Sequence, residues 1–516
     1  MTVTKTIANP LLDGICLPKT TSHRPSKKWT ILTLLGACAS LFLASGPLVR
    51  GGESADSERV NQATTTTDEK KAEFKRPAYN PVSRWKEDWS GLRGRDRSQT
   101  GDFFDPIKFI PLNADGSVYL SFGGAVRGRL ESFANFNFNP ANDATYFLYH
   151  FLLHGDLHIT NFVRVYVEGI DAEHTERDLP GGLRPADVNA LDLNQAFLDL
   201  AIPFEGGNLT LRGGRQSFSF GKQRLVSPLP WGNAYRHWDG FTAIVESHGW
   251  NVTGFWSEFA PVNKYTFDNP DGQTKLYGLY ATSGKPVDPL GYDLYFLGLD
   301  KNDPVAFNGT VGDEERYTIG GRLFGASHGF DYELENAFQF GHVGAGDIGA
   351  WMLATEGGYT LKDAFLKPRL WLGFDYASGD DSAGGDVGTF NQLFPLGHAY
   401  FGYIDAIGRQ NIVDLHPGLS VKCAADKLTL KAEGHFFWRA EAADALYNAG
   451  GAVIRRGAPG TSKTVGTELD LVANYRFNPH LTVEAGFSRF FAGKFIQQTG
   501  PSSDTNFFYL QSEFYF

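Results

Sequence analysis

The feature that most constrains this chain is a two-residue alternation, repeated from Ser117 onward, in which one row is apolar and the other ionised. Phe147, Tyr149, Phe151, Leu153, Leu157 and Ile159 alternate with His150, His154, Asp156 and His158. Phe330, Tyr332, Leu334, Phe338 and Phe340 alternate with Asp331, Glu333, Glu335 and Gln339. Near the end, Leu428, Leu430, Phe436 and Trp438 oppose Lys431, Glu433, His435 and Arg439. Successive side chains of a strand point to opposite faces, so each run is a strand with one greasy and one charged side. A dry sandwich core would bury the charged side at several kcal/mol per unpaired group. Hydrocarbon outside and water inside remove that penalty, which is the arrangement of a membrane barrel.

The last residues, Thr505–Phe516, fit the same scheme. Phe508, Leu510, Ser512, Phe514 and Phe516 share one row, with Tyr509, Gln511, Glu513 and Tyr515 on the other. This resembles the closing strand of bacterial outer-membrane barrels, and the resemblance implies that the barrel-assembly machinery reads Phe516. A mean hydropathy of −0.26 argues against helical spans but not against a barrel, in which only alternate residues face lipid. Gly at 60 residues and a charged fraction of only 20% suit one large β-architecture with many turns.

Ahead of the strands, Lys27-Lys28, the apolar run Trp29–Leu43 and Ala44-Ser45-Gly46 form a secretory leader, placed at residues 1–46. That leader holds five basic residues and one acidic one, so its removal takes the net charge from −11 to −15. Such a chain is not expected to bind nucleic acid. Residues 47–115 read as a polar periplasmic segment, flexible for most of its length, with Arg84–Gly94 forming a short turn or helix against the barrel rim. The barrel itself is placed at 116–516. At about 22–25 residues per strand and loop, it holds about 16–18 strands around a polar lumen. The fold class expected is therefore all-β, a single transmembrane antiparallel barrel.

Several motifs are similar to those of the alginate-export outer-membrane porin family. They include Gly123–Glu131 (GGAVRGRLE), Leu191–Leu200 (LDLNQAFLDL), Arg212–Gln216 through Phe220–Val226, Arg236–Gly240 (RHWDG), Ser378-Gly379-Asp380, Phe390–Pro395 with Tyr400-Phe401-Gly402, and Val465–Leu471. The resemblance runs from about Trp85 to Phe516. It implies a monomeric barrel in the bacterial outer membrane whose arginine-rich constriction passes a polyuronate, since a guanidinium fork pairs bidentately with carboxylate. The matching motifs supply Arg127, Arg129, Arg212, Arg215, Arg224 and Arg236 as polyanion contacts. Glu131, Asp192, Asp199 and Asp239 are their partners. Arg164 and Glu168 join the pore lining on strand phase. Arg215 falls out of phase, which requires either a bulge or a place facing a loop. The alternative cargo is small anions or sugars, taken up through a general porin. Lumen ion pairs offer a purely structural role for any one of these arginines.

Other patterns carry less. His154, Asp156 and His158 lie too far apart along one strand to converge on a metal, and no metal set is expected. Gly344–Gly349 spells a dinucleotide fingerprint but opens no helix, so it reads as a turn and no cofactor is expected. The Asp- and Gly-rich stretch Ser378–Gly388 reads as a solvated loop before a calcium site. There is no local nucleophile motif, and a non-enzymatic protein is expected. Outer-membrane lipids are the remaining partner.

Overall fold

The computed structural model describes residues 75–96, 101–175, 177–284 and 289–516. The leader assigned to residues 1–46 lies outside them. Eighteen antiparallel strands close into one barrel. The first six are β1 (Val118–Ala134), β2 (Ala144–Ile159), β3 (Val163–Thr175), β4 (Asn189–Phe204), β5 (Gly207–Gln216) and β6 (His237–Ser247). The next six are β7 (Trp250–Ala260), β8 (Thr274–Ser283), β9 (Leu290–Phe307), β10 (Thr310–Ser327), β11 (Phe330–Val343) and β12 (Gly346–Thr360). The last six are β13 (Arg369–Ala377), β14 (Ile412–Cys423), β15 (Leu428–Trp438), β16 (Thr464–Arg476), β17 (Leu481–Ala492) and β18 (Thr505–Tyr515).

Each strand pairs with its sequence neighbours, and β18 closes onto β1 from Asn506↔Ala134 to Tyr515↔Ala125. The two ends of the barrel differ. At one, connections are short: His248-Gly249 and His328-Gly329 each make a two-residue turn with both φ values positive, matching the twist of the strands they join. At the other lie the long connections 217–236, 378–411 and 439–463. Short periplasmic turns and long external loops are the pattern of outer-membrane barrels.

The outward rows are apolar and exposed, among them Phe147, Tyr149, Phe151, Leu153, Ile319, Phe338, Leu370, Leu372 and Leu510. The inward rows carry Arg127, Arg129, Glu131, His150, His154, Asp156, Glu335, Asp375, Glu433 and Asp470, all buried. These charges do not face open water, because the long loops fold into the lumen. Arg127 donates to the carbonyls of Pro230 and Gly232, and Arg409 pairs with Asp375 on β13. At the long-loop end the loops build an apolar centre from Phe218, Leu225, Val226, Phe390, Phe401, Ile404 and Ile407 around Trp238. The expectation of a wholly wet interior is thus corrected: loop backbone and paired charges fill much of it.

The short-turn end is occupied by the chain ahead of β1. Two 3-10 turns, Arg84–Lys86 and Ser90–Leu92, bury Arg84, Glu87, Trp89 and Leu92. Arg84 donates to Gly124 O at 2.7 Å and to Phe516 O at 3.0 Å. Trp85 packs edge-on to Phe197, an inward residue of β4. The segment expected to rest on the rim therefore sits inside it, because Arg84 finds backbone carbonyls there and Trp85 finds the Phe197 ring and the Arg212 guanidinium.

Candidate functional site

One wall of the lumen, made by β1, β3 and β5, carries a run of arginines. Arg129 pairs with Glu131 at 2.7 Å and lies 3.9 Å above the Trp231 ring, donating to that residue's carbonyl. Glu131 in turn accepts from Tyr146 at 2.5 Å. Arg164 grips Asp156 from β2, with Nε at 2.7 Å from Oδ1. Arg212 makes a bidentate pair with Asp199, both contacts 2.7 Å, and its guanidinium is sandwiched between Trp85 and Phe197 at 3.9 and 3.6 Å. Among the described residues Glu168 pairs with no arginine; it accepts from Tyr166 at 2.7 Å, Asn194 at 2.7 Å and Gln195 at 3.0 Å.

Two arginines here stand apart. Among the described residues, Arg127 has no carboxylate within ion-pair distance; its bonds go to loop carbonyls. Arg236, in the loop before β6, likewise donates to Pro395 O at 2.8 Å. Burial without an acidic neighbour pushes the Arg236 guanidinium down to about 10. The Arg236 charge is therefore not cancelled locally, whereas Glu513 stands directly across the β18–β1 pair from Arg127 and offsets it in part.

Arg224, on loop 217–236, reaches across to β11 and pairs with Glu333 and with Glu335 at 2.8 Å. The wall of β11 to β16 is acidic: Glu333, Glu335, Asp375, Asp414, Glu433, Glu468 and Asp470 face inward there, met by Arg322, Arg409, His416 and His435. The arginines of the β1–β5 wall are thus matched in number by Glu131, Asp156, Glu168 and Asp199, whereas carboxylates predominate on the β11–β16 side.

For Arg215 the structure takes the loop-facing alternative, and the pore-lining placement of Asp239 is a correction. The register of β5 with β4 and β6 is unbroken, so no bulge turns them inward. They share a face with Phe241, which is 70% exposed, opposite to Arg212, Gln216, Trp238 and Thr242. Arg215 holds Asp239 bidentately at 2.8 and 3.0 Å and donates to the Asp268 carbonyl of loop 261–273. That loop covers the pair, so charge is tolerated on the outer side of the wall near its long-loop rim. Asp192 lies at the same rim, 4.0 Å from Arg215.

Between the inserted segment and the arginine-bearing wall lies a cavity of about 470 Å³, lined by Trp85, Lys86, Arg164, Arg212, Gln216 and Asn251 among others. Trp85 and Lys86 were not expected there. Their segment lacks alternation, and only its aromatic and basic content hinted at a packed role.

Residues 118–510 match the alginate-export family model. No curated protein sequence matches the chain. Among solved structures, the barrel resembles OpdO of Pseudomonas aeruginosa, with a TM-score of 0.52 at 12% identity, covering 77% of this chain and 97% of that one. OprD from the same organism gives a TM-score of 0.51 at 14% identity over 77% and 93% of the two chains. P. aeruginosa OccK2, solved in complex with glucuronate, gives 0.50 at 12% identity over 76% and 97%. At such identities the likeness is one of fold, that of the outer-membrane porin barrel. With a family match spanning nearly the whole barrel, the chain belongs to the alginate-export family of outer-membrane channel proteins, in the bacterial outer membrane.

Proposed function

We propose that the protein conducts an anionic, alginate-like polyuronate through its lumen, with Arg127, Arg129, Arg164, Arg212 and Arg236 forming the path. The observation that carries this reading is that Arg127 and Arg236, beside a row of inward arginines, hold no direct ion pair among the described residues and donate to loop carbonyls instead. A fixed positive charge in a low-dielectric wall concentrates anions, and the guanidinium fork suits successive carboxylates. Arg129, Arg164 and Arg212 are already paired with Glu131, Asp156 and Asp199, so they exchange partners rather than acquire one. The inserted segment around Trp85 and the loops in the lumen have to shift for a polymer to pass.

A second reading, uptake of small anions or sugar acids, is favoured by the size of the cavity beside Trp85 and Arg212. A cavity of about 470 Å³ suits a mono- or disaccharide better than a polymer. The glucuronate complex of OccK2 supplies the analogy of a uronate held in a barrel of this fold.

Planar-bilayer recordings with polyuronate of graded length separate the two. Under the polymer reading, current block strengthens with chain length. Block by the monosaccharide equal to that by long chains supports uptake, and no block by either removes uronates as cargo.

A further inference from the structure

The long-loop rim holds a group of side chains that transport does not use. Asp192 on β4, His237 at the start of β6 and Asp268 on loop 261–273 bring their ligand atoms within 4.8 Å of one another. All three are buried, at 4, 0 and 1% exposure, and Asn189 beside them is at 1%. Two carboxylates meeting in so dry a place repel unless a proton or a cation joins them.

The polar atoms left over point the same way. Neither ring nitrogen of His237 makes a hydrogen bond, although Nε2 stands 3.3 Å from Asp268 Oδ2. Asn189 Nδ2 donates to Asp268 Oδ2 at 2.9 Å and reaches Asp192 Oδ2 at 3.4 Å, while Asn189 Oδ1 is buried with no partner. Turning that amide over would present the oxygen to the carboxylates, useful only if a cation lies between. Two ligands about 2.1 Å from a tetrahedral ion stand about 3.4 Å apart, close to the observed imidazole–carboxylate separation. The backbone donors here, Leu193 N and Asp268 N to Asp192 and Asn263 N to Asp268, fix both carboxylates but leave His237 unexplained.

We propose that Asp192, His237 and Asp268, with Asn189 Oδ1 as a fourth donor, bind one divalent transition-metal ion, Mn²⁺ or Zn²⁺. One imidazole with two carboxylates and an amide oxygen is a borderline donor set, softer than calcium prefers and harder than a thiolate site. Arg215, 4.0 Å from Asp192, opposes a cation less than its distance implies, because Asp239 already neutralises it. The ion ties loop 261–273 to the starts of β4 and β6. The site does not depend on which cargo passes.

The full-length barrel, extracted in detergent and stripped with chelator, is titrated with MnCl₂ and with ZnCl₂ by calorimetry. Metal content is counted after desalting. One equivalent bound at micromolar affinity or tighter by either ion is expected, with at least a tenfold loss in His237→Gln and in Asp268→Asn. Heat-modifiable migration on gels identifies the variants that remain folded. No stoichiometric binding to the wild type overturns the proposal, as does unchanged affinity in either folded variant. Should neither variant fold, the spin-echo spectrum of the Mn²⁺-loaded wild type decides: imidazole nitrogen coupling supports the site, and its absence refutes it.

Discussion

Arg84→Ala should release the inserted segment from the short-turn mouth. The wild-type guanidinium is almost wholly buried and binds the barrel through Gly124 O at 2.7 Å and Phe516 O at 3.0 Å. Hydrogen bonds from a charged donor are worth about 1.5–3 kcal/mol each, so the two together contribute about 3–6 kcal/mol. Its third partner, Glu87, belongs to the segment itself and keeps bonds from Asn80 N at 2.9 Å and Trp89 Nε1 at 3.3 Å. Trp85 still packs on Arg212 and Phe197, so the segment loses part of its seating rather than all. At about 4 kcal/mol, and about 1.4 kcal/mol per tenfold, the docked-to-released ratio falls by about three orders of magnitude. Single-channel recording should show longer and larger openings in the variant. Traces indistinguishable from wild type, in a barrel that still shifts on heating, would refute the claim that this segment closes the mouth.

Asp199→Ala should destabilise the barrel, because Arg212 would stay buried between Trp85 and Phe197 without its anion. Removing one member of a buried pair costs about 3–5 kcal/mol, read as a lower urea midpoint, and Asp199→Ala/Arg212→Ala together should cost less than the two singles summed. Lys108, fully buried beside Arg76, Tyr79, Arg84, Glu87, Asp102 and His154, has its ammonium pushed down to about 7, chiefly by burial. The unfolded lysine holds its proton to higher pH, so folding releases one between about 7 and the usual lysine value, and stability rises with pH across that window. Proteolysis of residues 75–96 should therefore slow between pH 7 and 9, and the slope should flatten in Lys108→Met.

Barrel architecture was legible because lipid and lumen impose opposite demands on adjacent residues. Phe147 against His150 and Phe338 against Glu335 cannot both be satisfied in one dry layer. The closing strand was legible for the same reason, and β18 does pair with β1. What fills the lumen was not. Loops 217–236 and 378–411 bury Phe218, Phe390, Phe401 and Ile407 by tertiary contacts that leave no periodicity in the chain. Arg215 shares a motif with Arg212, and Asp239 shares one with Arg236; both were set in the pore lining on those motifs, and motif membership carries no information about strand phase. The alternation did flag Arg215 as out of step; an outward guanidinium is held there by the Asp239 carboxylate of β6 and by the Asp268 carbonyl of loop 261–273. Asp192, His237 and Asp268 meet only through the fold, so no local spacing announced them.

The most direct test of the account is the reversal potential of the purified barrel across a KCl gradient, measured for wild type and for Arg127→Ala/Arg129→Ala/Arg164→Ala. If the lumen arginines govern permeation, the wild type shows chloride preference and the triple variant a shift toward neutrality. Cation preference, or a chloride preference that the three substitutions leave in place, would contradict it.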